Sequence, residues 1–156
     1  WSLQSDGYLP DTYISDQRHK IEIYKKIRQI DNHVNYEELQ EELMDRFGEY
    51  PDVVAYLLEI GLVKSYLDKV FVQRVERKEN KITVQFEKVT KRLFLAQDYF
   101  KALSATNLKA AIAENKGLME VVFDVRNKKD YEILEGLLIF GESLLEIKES
   151  KEGNSL

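Results

Sequence analysis

The sequence predicts an α+β fold in which three helices precede a ββαββα arrangement. Apolar residues recur at helical spacing up to about residue 67, whereas from Val70 onward they alternate with polar residues. Short polar segments at 79–81 and 115–117 each separate two such alternating runs, which is typical of β-hairpins. We therefore expect a small, mainly antiparallel sheet with helices on one face.

The first helix is predicted to begin at a cap formed by Ser15 or Asp16 and to end near Ile30. Its spacing predicts a buried face made of Ile23, Tyr24, Ile27 and Ile30. The residues predicted to face water are Arg18, Lys25 and Lys26.

The second helix is predicted from a capping box and a glycine stop. Asn35 as N-cap with Glu38 three residues later forms the box, and Gly48 supplies the left-handed end. The core-facing residues are predicted to be Tyr36, Leu39, Leu43 and Phe47. At about 100° per residue, the opposite, outward face then carries Glu38, Glu41, Glu42 and Asp45.

The third helix is predicted over 53–67, directly after Pro51, which suits a first helical turn. Apolar residues occupy two of its faces, so we expect it to be covered from two sides, and Gly61 would permit a close helix contact. The remaining predicted elements are strands over 70–78 and 82–86, a helix over 96–103, strands over 108–113 and 118–125, and a helix over 128–148.

The last helix is predicted to be capped by Asn127. Its predicted buried face consists of Tyr131, Leu134, Leu138, Gly141 and Leu145. We expect residues 1–8 to be a linker lead-in, residues 9–148 to form a single domain, and residues 149–156 to be a flexible tail. Within the domain, 9–67 is the helical part and 70–148 the ββαββα part.

The acidic charge is concentrated in one region of the 156-residue chain. The whole sequence has 23 basic and 28 acidic residues, a net charge of -5. Residues 1–67 hold 7 basic and 13 acidic side chains, net -6, and residues 68–156 hold 16 and 15, net +1. The second helix and the residues just after it carry seven of those carboxylates: Glu37, Glu38, Glu41, Glu42, Asp45, Glu49 and Asp52.

Several classes of function are disfavoured by composition and motifs. The chain contains no cysteine, which excludes a disulfide framework and a thiolate zinc site. Gly136 and Gly141 have the spacing of a phosphate-binding loop, but Glu142 stands where that motif requires lysine. His19 and His33 lack a partner at metal-ligand spacing. We expect a cytoplasmic, non-catalytic domain with no cofactor, no membrane segment and no small-molecule substrate.

Two readings of the acidic helix remain open, a solvated surface and a docking surface for a basic partner. The helix dipole accounts for Glu37 and Glu38 near the N-terminus. It does not account for Glu41, Glu42 and Asp45, and like charges four residues apart cost a few tenths of a kcal/mol per pair. The other candidate function is contact with nucleic acid through basic residues of the first hairpin and the segment after it, Arg74, Arg77, Lys78, Lys88, Lys91 and Arg92.

The first 67 residues resemble the C-terminal domain of bacterial transcription-repair coupling factors. The resemblance rests on Leu9-Pro10, Tyr13-Ile14 and Asp16, on Tyr24-Lys25 and Ile27, and on Glu42-Leu43, Asp45-Arg46-Phe47-Gly48, Pro51 and Leu57-Leu58. Read in order, these residues form the pattern LPxxYIxD, YKxI, ELxDRFGxxP and LL. Beyond Val70 only the arrangement of hairpins and helices is similar.

The resemblance implies a regulatory module of a large ATP-driven DNA translocase, whose ATP and magnesium sites lie in other domains. In that family the C-terminal domain is thought to fold back onto an N-terminal module that resembles the damage-verification protein of excision repair. This contact would mask the surface that recruits the damage-recognition subunit and restrain the motor until RNA polymerase is engaged. The residues expected at this intramolecular contact are Glu42 and Asp45, with Glu38 and Glu41 at its rim.

Overall fold

The computed structural model describes residues 1–3 and 7–154, and the chain divides into two compact units. The first unit comprises residues 5–65 and the second comprises residues 1–4 together with 66–156. The boundary lies within the third helix, close to the division between 9–67 and 70–148 that the sequence suggested.

The first unit is helical, and the three predicted helices are confirmed. They are α1 Gln17–Arg28, α2 His33–Phe47 and α3 Asp52–Lys69, of which residues 52–65 belong to this unit. The side chain of Asp16 caps α1 by accepting hydrogen bonds from the backbone N–H groups of Arg18 and His19. The apolar core of this unit contains Leu9, Ile14, Ile23, Ile27, Ile30, Leu39, Leu43, Val54, Leu58, Leu62 and Val63.

The predicted start of α2 was wrong by three residues. Asn32 is the N-cap, and its Oδ1 accepts a hydrogen bond from the Asn35 N–H at 2.9 Å. Asn35 occupies the third helical position and its own Oδ1 accepts from the Asp31 N–H at 3.0 Å. Both asparagines are good caps, so residue type alone could not choose between them. Glu38 is therefore free of the capping role that the sequence predicted for it.

Close backbone packing involves two glycines of this unit. A Cβ at Gly61 would lie 3.2 Å from both the Ile27 side chain and the Ile27 carbonyl oxygen, so the predicted close helix contact is confirmed. A Cβ at Gly7 would overlap the Val53 carbonyl oxygen and the Leu57 nitrogen of α3. Gly7 was expected in a linker lead-in, and it instead packs directly against a helix.

The second unit contains a four-stranded sheet with helices packed on one face, so the α+β prediction is confirmed. Its elements are β1 Val72–Lys78, β2 Lys81–Phe86, α4 Thr90–Leu93, α5 Ala96–Ser104, β3 Lys109–Asn115, β4 Leu118–Asp124 and α6 Asp130–Asn154. The strand order is β1-β2-β4-β3, and every neighbouring pair is antiparallel. The short helix α4 was not predicted.

Aromatic rings join the sheet to its helices. The ring centroid of Phe140 in α6 lies 5.3 Å from that of Phe123 in β4 and 6.3 Å from that of Phe86 in β2. Phe86 also lies 5.3 Å from Tyr99 in α5. The prediction for the buried face of α6 was partly wrong, because apolar residues occur on several sides of this helix. The buried side chains are Ile133, Leu134, Leu137, Phe140 and Leu144, whereas Tyr131 is 59% exposed.

Both ends of the chain are more ordered than the sequence suggested. Ser2 extends the edge of the sheet beside β1, where its N–H donates to the Val75 carbonyl and its carbonyl accepts from the Arg77 N–H. Helix α6 continues to Asn154, so 149–154 is not a flexible tail. Residues 155–156 lie outside the described residues. Over residues 1–3 and 7–154, no helix is long and apolar enough to cross a bilayer.

Lys151 gives the last turns of α6 a structural role. Its Nζ donates to Asp98 at 2.6 Å and to the Leu93 carbonyl at 2.9 Å. Burial alone would raise the pKa of Asp98, but the hydrogen bonds from Lys151 and from the Leu95 N–H outweigh it and lower that pKa. The Asp98 side chain, which is 12% exposed, therefore depends on Lys151 for its counter-charge.

Replacing Lys151 with Met is expected to lower the free energy of unfolding by about 1 to 2 kcal/mol, because it leaves Asp98 ionised and poorly solvated. Urea denaturation followed by circular dichroism measures this change. Lys101→Met removes a nearby exposed cation without a direct ion pair and serves as the control. Equal stability of the Lys151→Met variant and the native chain would contradict the assignment.

Candidate functional site

The outward side of α2 presents carboxylates together with two apolar side chains. Glu38, Glu41 and Asp45 are exposed, as the sequence predicted, while Leu39 and Leu43 are buried on the opposite side. We call Glu38, Glu41, Glu42 and Asp45 the acidic face. Val34 lies among these carboxylates with an exposed fraction of 59%, and Met44, three residues after Glu41, lies beside them with an exposed fraction of 47%.

Glu42 lies at the edge of the acidic face and belongs to a closed ring of four alternating charges. Lys26 of α1 donates to both Glu42 carboxylate oxygens, at 2.8 and 2.7 Å, and Arg46 donates to Glu42 at 2.6 Å. Arg46 also binds both oxygens of Glu22 on α1, at 2.8 and 3.0 Å. Lys26 lies 3.3 Å from Glu22 and completes the ring. This ion-pair ring links α1 to α2.

The ring corrects two expectations about individual residues. Lys26 was expected to face water and Glu42 to have no local structural role, but each is held by the other. A signal was present in the sequence, because Glu22 and Lys26, like Glu42 and Arg46, are opposite charges four residues apart. Only the packing of α1 against α2 brings the two pairs together.

The ring keeps both of its carboxylates ionised. Hydrogen bonds from Arg46, and secondarily from Lys26, lower the pKa of Glu22 to about 2. The pKa of Glu42 is also lowered, with Lys26 as the largest cause, against an opposing contribution from burial. In return, the Glu22 and Glu42 carboxylates raise the pKa values of Lys26 and Arg46. All four groups therefore carry charge at neutral pH.

The other three residues of the acidic face are not part of the ring. Glu38, Glu41 and Asp45 make no ion pair or side-chain hydrogen bond with any residue in the described part of the chain. Glu41 and Asp45 are also like charges four residues apart, whose repulsion is not offset by a neighbouring cation. With Val34, these three side chains fall within an arc of about 60° on the helix.

The structure assigns structural roles to the other residues of the pattern ELxDRFG. Leu43 is fully buried, and Phe47 packs edge-on against Tyr13 at 6.0 Å between ring centroids. The Tyr13 hydroxyl donates to the Gly48 carbonyl at 2.8 Å, which satisfies a group at the end of α2. Glu42 and Arg46 belong to the ring. Within this pattern, and among the described residues, Asp45 is the member without a structural partner.

A shallow groove of about 320 Å³ lies between α1 and α2 beside the acidic face. Its lining residues are Lys26, Gln29, Asn35, Glu38, Leu39 and Glu42. Glu38 is an unpaired carboxylate at its wall, and the apolar Leu39 lies beside it. A planar guanidinium from a partner would find in this groove both a hydrogen-bond acceptor and an apolar surface.

The structure does not bring the six basic residues of the alternative site together. Lys78 lies at the β1–β2 turn, whereas Lys91 bonds Glu114 near the β3–β4 turn at 2.6 Å. Those two ends of the sheet are about 17 Å apart, at about 3.4 Å per residue over five residues of β3. Four of the six cations already have carboxylates within 4 Å, namely Arg74, Arg77, Lys78 and Lys91. Lys88 and Arg92 are exposed.

The described residues contain no group of three or more His, Asp or Glu side chains placed to hold a metal ion. The acidic face is an outward helix surface and not a cleft. Exposed carboxylates of this kind can accept charge-assisted hydrogen bonds.

Replacing Arg46 with Gln is expected to raise the pKa of Glu22 from about 2 toward 4.5, and by more than Lys26→Gln does. For Glu42 we expect the opposite order, with Lys26→Gln raising its pKa more than Arg46→Gln does. The hydrogen bond from Lys26 is the largest cause of the lowered Glu42 pKa. Since both carboxylates titrate lower when folded, the ring stabilises the fold fully above about pH 4.5 and less as the pH falls toward 2. Carboxyl ¹³C NMR titration measures both pKa values.

Lys25→Gln removes an exposed neighbouring charge and is the control for this titration. The ring geometry is contradicted if Lys25→Gln shifts either carboxyl pKa as much as the ring variants do.

Comparison with known proteins identifies the family. Residues 3–97 match the model of the TRCF domain. A solved structure, the crystal structure of the C-terminal domain of a transcription-repair coupling factor, is 92% identical with a TM-score of 0.94, over 96% of this chain and 93% of that chain.

Curated relatives point the same way. A transcription-repair-coupling factor from Staphylococcus haemolyticus is 31% identical over 116 residues, which cover 73% of this chain and 10% of that protein. One from Bacillus subtilis is 35% identical over 80 residues, which cover 51% of this chain and 7% of that protein. The chain thus spans a tenth or less of the length of these relatives. It belongs to the TRCF domain family and is similar, over nearly its whole length, to the C-terminal domain of a transcription-repair coupling factor.

Proposed function

We propose that this domain is a non-catalytic regulatory module that docks through its acidic face onto a basic surface of the same full-length protein. The observation that carries the proposal is the contrast within α2. Glu42, Leu43, Arg46, Phe47 and Gly48 all have structural partners, whereas Asp45 has none within the described chain. Asp45, Glu41 and Glu38 remain available for a partner.

The make-up of the surface favours a protein partner over a small ion. Val34 is exposed among the carboxylates and Met44 is exposed beside them, so the face offers apolar contact area as well as charge. Protein interfaces commonly combine an apolar centre with a polar rim. A partner with arginine side chains suits this face best, because the planar guanidinium pairs with a carboxylate through two hydrogen bonds.

Glu42 contributes in a different way from Asp45. Its carboxylate is already oriented by Lys26 and Arg46, and its side chain is 28% exposed. A partner arginine can therefore share a carboxylate that is held in place before docking, which reduces the entropy lost on binding. Asp45, one turn further along and unpaired, supplies the uncompensated charge.

The proposed partner is the N-terminal damage-verification-like module of the full-length protein. Tethering two modules in one protein gives an effective concentration on the order of mM, so an intrinsically weak contact stays mostly closed. Closure would mask the surface that recruits the excision-repair damage-recognition subunit. RNA polymerase would release this contact by binding the open state more tightly than the closed state, since a ligand shifts such an equilibrium only through its differential affinity.

Replacing Asp45 with Arg is expected to weaken binding of this domain to the separately produced N-terminal module by about tenfold or more, because it puts like charges in contact. Isothermal titration calorimetry at low and high salt measures the effect. Glu135→Arg makes the same charge change on α6, at an exposed position outside the acidic face, and is expected to leave binding unchanged. Unchanged affinity of the Asp45→Arg variant would reject this docking surface.

Glu42→Gln is expected to weaken binding and also to lower thermal stability, whereas Asp45→Asn weakens binding alone, since of these two residues only Glu42 is part of the ring that joins α1 to α2. Binding and thermal denaturation measured on the same two variants separate these roles. Equal stability losses in both variants would contradict them.

A further inference from the structure

One end of the sheet gathers cations that are far apart in the sequence. The strand register places Lys78 opposite Lys81, Lys81 opposite Asp124, and Asp124 opposite Lys109. Paired residues in an antiparallel sheet point to the same face. A row with three lysines and one aspartate therefore crosses all four strands.

The loop between β4 and α6 adds further cations at the same end. The Val125 N–H donates to the Asn80 carbonyl at 2.8 Å, which holds this loop beside the β1–β2 turn. Arg126, Lys128 and Lys129 follow within four residues. We call Lys78, Lys81, Lys109, Arg126, Lys128 and Lys129 the sheet-end patch.

Half of the patch makes no ion pair within 4 Å in the described chain, although Asp124 attracts Arg126 and lies opposite Lys109. The three partnered lysines are held at long distances, 3.6 Å for Lys78–Glu76, 3.6 Å for Lys81–Asp124 and 3.9 Å for Lys128–Glu132. The other three cations are exposed and make no side-chain ion pair with any described residue: Lys109, Arg126 and Lys129. These three come from the start of β3 and from the loop before α6.

An exposed aromatic ring adjoins the patch. Tyr131 lies in the first turn of α6, two residues after Lys129, and is 59% exposed. The sequence had suggested that this ring was buried. Proteins that bind single-stranded nucleic acid combine cations that meet the phosphates with aromatic rings on which bases stack.

We propose that the sheet-end patch binds single-stranded nucleic acid, with Lys109, Arg126 and Lys129 at the phosphates and Tyr131 stacking on a base. A polyanion suits exposed cations that come both from the start of β3 and from the loop before α6. An acidic protein segment is less suitable, because the exposed Tyr131 ring offers a stacking surface that a base uses best. This surface differs from the basic set that the sequence suggested, sharing only Lys78 with it.

The test is fluorescence anisotropy of the whole chain with a labelled 15-nucleotide oligothymidine between about 20 and 200 mM salt. Changing Lys109, Arg126 and Lys129 together to Gln is expected to weaken binding at least tenfold. It should also reduce the slope of log affinity against log salt by about 2, because each phosphate neutralised on a single strand contributes about 0.7 to that slope. Tyr131→Ala is expected to cost about fivefold or more on the single strand and to leave duplex binding unchanged.

A matched control comes from the opposite end of the same sheet. Lys88, Arg92 and Lys116 are also exposed and without side-chain ion pairs in the described chain, and changing all three to Gln removes the same charge. Binding by this control variant is expected to match the native chain. Circular dichroism establishes that both triple variants are folded.

The proposal is overturned if the chain fails to bind the oligonucleotide at about 20 mM salt, or if both triple variants lose affinity equally. It is also overturned if duplex of the same length binds more tightly than the single strand. Displacement of the oligonucleotide by an equal charge concentration of polyglutamate would assign the patch to an acidic protein instead.

Discussion

The ion-pair ring between α1 and α2 is the interaction on which the candidate docking surface depends. Lys26 and Arg46 each contact both Glu22 and Glu42, so the four charges balance and the two helices are joined along their exposed edges. Surface ion pairs contribute little one at a time, but a network fixes the direction of every side chain in it. The ring therefore defines which carboxylates of α2 are already satisfied and which remain available to a partner.

The residues that carry the family resemblance are mostly explained by packing. Tyr13 reaches from the LPxxYI segment to the end of α2, and the Tyr24 hydroxyl accepts a hydrogen bond from the Leu9 N–H at 2.9 Å. Tyr13 thus joins motifs that are more than thirty residues apart, at Phe47 and Gly48. Asp45 is the exception within the pattern ELxDRFG. Asp45 is therefore the position within this pattern at which we propose that a partner binds.

Much of the fold could be predicted because its signals are local. The periods of 3.6 and 2 revealed three helices and two hairpins, and Asp16 and Gly61 were recognised as a cap and a close contact. The errors arose where local signals compete. Asn32 and Asn35 are both good caps, and α6 is apolar on several sides, so the sequence could not select the buried one. Ser2 and Lys151 looked like parts of polar ends, and their roles rest on contacts with distant residues.

By itself, the sequence determined that α2 is an amphipathic helix with an acidic outer side, since burial of Leu39 and Leu43 leaves Glu38, Glu41 and Asp45 outside. Only the tertiary structure decided that Glu42 belongs to a ring and Asp45 does not, because Lys26, which binds Glu42, and Glu22, which binds Arg46, both come from another helix. The same holds for the sheet-end patch. Strand register, which depends on pairing between distant segments, brought Lys81 and Lys109 into one row, and no spacing along the chain encodes that proximity.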